Sequence, residues 1–179
     1  MARIELCEPM LMTEPQKRVH ERLPVNLMRA MLRTNHADHY LALGLALNAG
    51  LLAAKRRELV ILRVAALSGS HYERMHHRPA AQQAGWSEAD IVAIEAGHGG
   101  HLAPPEAALL RFVDECIRDV RVSDRTFAEL RGHLQEEEEV AEATLLAGFY
   151  MMTARFLETL DVDLDEAPGQ ALMELHRSA

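Results

Sequence analysis

The chain has 179 residues, 49% of them hydrophobic, 26% charged and 4% aromatic. That is an ordinary soluble mixture for one domain, long enough to bury roughly 70% of the surface its unfolded form exposes; few aromatics beside plentiful Ala, Leu and Met favour helices. Asp and Glu number 27 against 19 Lys and Arg, and the resulting net charge of −8 repels phosphate backbones and argues against a nucleic-acid partner.

In chain order, the first dozen residues form an arm, and Thr13 caps a short helix running to Arg22. Pro24 opens a helix over Val25–Arg33, and Asn35 caps His36–Ala49, with Gly50 as a left-handed stop. Residues 55–67, KRRELVILRVAAL, read as a helix apolar on nearly every side except at Arg63, the mark of a central bundle element. The run 68–70, SGS, ends it and caps a helix from His71 to Ala84 that carries Pro79 inside and stops at Gly85. Ser87 and Asp90 open a helix to Ala96, GHGGH at 97–101 is a loop, and Pro104–Pro105 begin a helix to Arg121. Ser123 starts another to Leu134, and the acidic run Glu136–Glu139 complements the dipole of a last long helix to Leu160. Residues 161–179 read as a linker and tail helix. The expectation is a single-domain, all-α helical bundle, with residues 1–22 as arm and short helix, 23–160 as the domain and 161–179 as tail.

No apolar run approaches the ~18 residues of a membrane span, and MARIELCEPMLMTEPQKR lacks an uninterrupted apolar signal core, so a cytoplasmic protein without a membrane partner is expected. Cys7 and Cys116 form no CxxC and read as isolated packing residues. Trp86 is expected to fold back over the preceding helix end, and Phe149, Tyr150, Met151, Met152 and Phe156 to pack a core or subunit interface.

The densest chemistry is SHYERMHHRP, residues 70–79. Ser70, Glu73 and His77 share one helical face, and Tyr72 and His76 a neighbouring one. A carboxylate one turn from an imidazole, set against an apolar helix, suits general acid–base work; the same spacing also occurs as a plain ion pair on a solvated face. Glu73-x-x-His76 and Glu95-x-x-His98, with His71, His77 and His101 close in sequence, also match the ligand spacing of di-metal bundle sites. The second pair, however, runs into a Gly-rich loop, and further carboxylate ligands cannot be assigned.

The stretch RELVILRVAALSGSHYERMHHRPAAQQAG, residues 57–85, resembles the core of the carboxymuconolactone decarboxylase family, which includes the alkyl hydroperoxidase D-like proteins. The family pattern is a Glu, an apolar helix, then C-x-x-C-x-x-x-H, and the likeness extends more loosely over about 23–160. Glu58 falls at the family glutamate, Ser70 and Glu73 at the two cysteine positions, Tyr72 between them, and His77 at the relay histidine. Without a thiolate there is no dithiol peroxidase chemistry at this site.

The resemblance implies a helical homo-oligomer, trimer or hexamer. It also implies a cofactor-independent decarboxylase, or a related lyase or isomerase, acting on a small conjugated acid or lactone. Glu58, Glu73 and His77 would handle protons, with Ser70 and Tyr72 as hydroxyl donors and His76 and Arg63 as substrate-binding groups. Arg63 has the alternative of pairing internally with Glu58 or Glu73, and the whole pocket that of binding a small molecule or a partner without turnover.

Overall fold

The element that organises the structure is the helix the sequence marks as apolar all round. In the computed structural model, which describes residues 2–134 and 136–167, this helix is α4 of a series: α1 (Glu14–Arg22), α2 (Asn26–Met31), α3 (Ala37–Asn48), α4 (Ala54–Ser68), α5 (His71–Gln83), α6 (Glu88–Ala96), α7 (Pro104–Arg118), α8 (Asp124–Arg131) and α9 (Glu137–Leu160). A single 3₁₀ turn, Pro9–Leu11, precedes them, and no strand occurs among the described residues. Helix α4 packs against α5, α6, α7 and α9, which explains why Leu59, Val60, Ile61, Leu62, Val64 and Ala65 are all buried. Burying a Leu, Ile or Val side chain contributes about 1.5–3 kcal/mol, so this one helix supplies much of the driving force for folding.

Helix ends follow local chemistry. Gly69 stops α4 at φ +71°, a conformation that costs glycine nothing, and Ser70 at once caps α5 by accepting from the Glu73 N–H. Ser87 and Asp90 form a reciprocal capping box at α6. Helix α5 runs through Pro79 without interruption. The Trp86 indole N–H donates to Lys55 O at 2.7 Å, and the Lys55 ammonium lies 4.2 Å from the ring, so Trp86 ties the turn after α5 to the start of α4.

Three expectations are corrected. Helix α7 ends at Arg118, three residues early, where the chain turns through Val120 at φ +65°. Gly50 is not left-handed; it is needed because Glu142 of α9 caps the following loop there. Its two carboxylate oxygens accept from Leu51 N at 2.8 Å and Leu52 N at 2.9 Å, and a Cβ on residue 50 would collide with them. Helix α8 ends at Arg131, three residues short of Leu134; residues 161–167, where a linker was expected, are not helical, and the expected tail helix lies outside the described residues.

Two hydrophobic clusters result. The larger centres on α4, α7 and α9, with Phe112, Leu109 and Ile94 among its fully buried members. The smaller gathers Leu23, Met28 and Met31 of α2 and its approach, the front of α3, Tyr72 and Leu157. The end of α9 and the segment after it tie to the N-terminal part of the chain: Asn26 Nδ2 donates to Asp163 O at 3.1 Å, and Arg3 N to O of Leu160, the last residue of α9, at 2.8 Å. No helix of the described residues is long and apolar enough to cross a membrane.

Candidate active site

Between the two clusters lies a partly enclosed cavity of about 90 Å³, bounded by α2, α3, α5 and α9. Its wall is mainly apolar, with Leu27, Leu41, Leu45, Phe149 and Leu157 on it, and its polar side is the α5 face read from the sequence: Tyr72, Glu73, His76 and His77.

His77 Nδ1 lies 2.9 Å from Glu58 Oε2, and the side chains of both residues are at most 5% exposed. The pair is brought together because α4 and α5 form a tight helical hairpin around Gly69. Arg57 stands 3.8 Å from the other Glu58 oxygen and balances its charge from behind. With Nδ1 held by the carboxylate, Nε2 is the His77 nitrogen left for chemistry, the arrangement of a base oriented by an acid. The ring also meets Tyr150 edge-on at 5.0 Å.

Glu73 is a different kind of group. It is buried on the cavity wall, and neither carboxylate oxygen has a hydrogen-bond partner. Burial pushes its carboxyl well above the ordinary range, an effect the nearby Ser70 hydroxyl only partly offsets, which favours the proton-bearing form. An acid biased toward its protonated form and an oriented imidazole thus face one small space, an arrangement that suits moving a proton between two positions of one molecule.

Three expected roles change. Ser70 is fully buried as the α5 cap and does not line the cavity, so it is not a hydroxyl donor to anything held there. Tyr72 is on the wall, but its hydroxyl is spent: it accepts from Leu27 N at 3.0 Å and donates to Asp165. Arg63 is not on the wall. It pairs internally, with neither Glu58 nor Glu73 but with Asp114 of α7, and it donates to Glu95 O at 2.6 Å across the C-terminal end of α6. His76 does line the cavity, its Nε2 2.9 Å from Asp165 Oδ2 and its ring 4.8 Å from that of Tyr72.

Four residues were missed. Asp165, from the segment after α9, joins Tyr72, His76 and the Asn26 N–H (2.8 Å) at the cavity lip. Burial alone pushes its carboxyl up, yet the bonds from His76, Tyr72 and Asn26 N together hold it below the usual Asp value. Tyr150, assigned to packing, puts an unbonded hydroxyl among the described residues beside the cavity; burial raises its pKa, which keeps it a proton-bearing donor. Tyr40 and Thr153 pair at 2.8 Å, and because Thr153 donates to Phe149 O, the Tyr40 hydroxyl is the donor of that pair.

Among the described residues no three His, Cys, Asp or Glu side chains converge as a metal site. Glu95 of the second Glu-x-x-His pair is held instead by Arg74, at 2.8 and 3.1 Å, and by Arg78 at 3.1 Å. Cys7 and Cys116 are half-buried free thiols away from the cavity, and burial pushes the Cys116 thiol up.

Comparison with known proteins supports the architecture. Among solved structures, an alkylhydroperoxidase AhpD core, peroxidase-related protein from Ralstonia eutropha is 16% identical with a TM-score of 0.80, over 92% of this chain and 93% of that one. A peroxidase-related protein from Silicibacter sp. is 16% identical with a TM-score of 0.78, over 94% of each chain. The debrominase Bmp8, in complex with 2,3,4-tribromopyrrole, is 16% identical with a TM-score of 0.71, over 90% of each chain. At these identities the likeness shows a shared AhpD-like fold. No curated protein matches the chain. The carboxymuconolactone decarboxylase family model matches residues 27–115, which include Glu58, Glu73 and His77. The matched sequence and the shared helical fold agree, and the chain belongs to the carboxymuconolactone decarboxylase family.

Proposed function

We propose that the chain is a cofactor-independent lyase or isomerase acting on a small conjugated carbonyl compound, acid or lactone, by proton transfer. The observation that carries this reading is His77, held by the buried Glu58 behind the cavity wall, facing the same cavity as Glu73, whose carboxyl burial pushes well up.

In an isomerisation, His77 Nε2 takes a proton from the carbon next to the conjugated system. The electron pair flows onto the carbonyl oxygen, and a proton returns at a second carbon. In a decarboxylation the breaking bond is C–C, CO2 leaves, the same oxygen receives the electrons, and His77 supplies the proton to carbon. Either way negative charge develops on an oxygen, and the hydroxyls of Glu73 and Tyr150 are donors suited to meet it in a water-poor space. Glu58 stabilises the imidazolium that forms during the transfer. The absence of a thiol from the wall supports acid–base over dithiol chemistry.

The test is solvent-deuterium exchange and product formation by mass spectrometry over a panel of conjugated ketones, acids and lactones. Glu58→Gln and His77→Ala are expected to lower the rate by about 10²–10⁴-fold with unchanged helical circular dichroism. Variants as active as the parent would remove the reading. We also propose assembly into trimers or hexamers; the exposed Leu145 and Met152, two turns apart on α9 with Gly148 between them, support it as an apolar stripe. Light scattering that returns a monomer would refute it.

A further inference from the structure

The charge inventory of the cavity narrows what it can hold. Among the described residues, no Lys or Arg stands on its wall. Arg63 is consumed by Asp114 and the end of α6, Arg74 and Arg78 by Glu95, and Arg57 lies behind Glu58. The two histidines of the wall already face carboxylates, His77 facing Glu58 and His76 facing Asp165. A substrate carboxylate entering here would lose its water, meet no unpaired cation among the described residues, and face Glu73 on the wall and histidines already held by Glu58 and Asp165. An uncompensated buried charge of that kind costs several kcal/mol.

The polar groups without partners are of the opposite kind. Both Glu73 oxygens and Asn48 Oδ1 are buried without a hydrogen bond, and the Tyr150 hydroxyl has none among the described residues. Glu73 and Tyr150 offer O–H donors, and the surrounding wall is hydrocarbon. The two O–H groups are costly when left alone and are satisfied by a ligand that brings an acceptor, whereas Asn48 Oδ1 only accepts and calls for a donor. The cavity, about 90 Å³ and partly open, has room only for a small molecule.

We infer that the cavity takes a small, uncharged, largely apolar compound with one hydrogen-bond-accepting end, and that Glu73 donates to that end. This rests on the proton-transfer reading of the site and removes the acid half of its substrate range: the substrate is a neutral lactone or enone, and a carboxylate is excluded.

The experiment uses the full chain and two probes, cyclohex-2-enone and cyclohex-1-ene-1-carboxylate, titrated by ligand-observed NMR at neutral pH. The enone is expected to saturate at a concentration at least about tenfold below that of the carboxylate. Glu73→Ala is expected to weaken the enone about fivefold to tenfold, while Glu73→Gln, whose amide still donates, keeps most of the affinity. A carboxylate that binds as tightly as the enone overturns the inference, as does a parent protein that neither probe saturates. Enone affinity unchanged in Glu73→Ala overturns the role of Glu73. Deuterium exchange into the bound probe separates the two readings. A bound enone that no panel compound follows into exchange sinks the proton-transfer proposal and leaves the ligand class standing. A carboxylate that binds and exchanges does the reverse.

Discussion

Replacing Arg63 by Met tests whether the buried cation midway along the central helix serves the fold or a ligand. The Arg63 side chain is 5% exposed, its guanidinium engages Asp114, itself 22% exposed, and it covers Glu95 O at the C-terminal end of α6. The approach is close enough that Gly97, at φ +78°, would place a Cβ only 2.6 Å from Arg63 Nη2. Met keeps the hydrocarbon stem but strands Asp114 and uncaps the helix carbonyl. Removing one partner of a buried pair costs about 3–5 kcal/mol, and the partial exposure of Asp114 sets the expectation near the lower end, about 3 kcal/mol. For a chain of this length that is a fall in melting temperature of about 8 °C. Calorimetry on the parent, Arg63→Met and the double variant Arg63→Met/Asp114→Leu is the assay. The double variant should regain at least half of the loss, since no charge is then left unpaired. If Arg63→Met melts with the parent while ligand binding disappears, Arg63 is a substrate clamp and the internal assignment is wrong.

Other outcomes follow from the same geometry. Glu73→Gln should raise the melting temperature, and more at pH 8 than at pH 4. A carboxyl whose folded pKa is raised contributes its full stability only below its unfolded pKa and loses it as pH climbs toward the folded value, whereas the amide has no such loss. Asp165→Asn should lower stability at pH 7 by about 2 kcal/mol and flatten the acid limb of the pH–stability curve. The depressed pKa of Asp165 gives stability present above about pH 4 and lost as pH falls through the folded value; equal acid limbs in thermal melts would refute this. Gly50→Ala should cost about 1–3 kcal/mol in denaturant unfolding because its methyl displaces the Glu142 carboxylate from Leu51 and Leu52; no change would mean that the cap is dispensable. Tyr150→Phe should slow turnover by about 10²-fold on any substrate found while leaving stability near the parent's, and a larger effect on affinity than on kcat would argue against a transition-state donor.

Local features of the fold were legible because their causes are local. The unbroken apolar run of α4, the SGS break and the Ser87–Asp90 box each lie within a few residues of the structure they produce. The Glu58–His77 contact spans 19 positions and two helices, so periodicity alone places each residue on a helix face without naming its partner; the family pattern put both in the site but did not state their contact. Arg63 shows the limit. Its burial was readable from its apolar neighbours, but Asp114 lies 51 residues away on a helix whose docking angle no local pattern encodes. Asp165 carries no signal at all: it is one acid in an acidic segment, 89 residues from His76, and gains meaning only when the chain returns across the smaller cluster. Tyr150, next to Phe149 and two methionines, reads as packing, and it is packing on one side of its ring; only the position of its hydroxyl distinguishes it.

The two hydrophobic clusters meet along a seam without merging, and the void between them is where their surfaces fail to interlock. A guest seated there touches both halves at once and acts as mortar between them. Its grip should therefore be felt unevenly, slowing amide exchange in α2 and the front of α3 far more than in α4, whose buried backbone is expected to open only with the whole molecule.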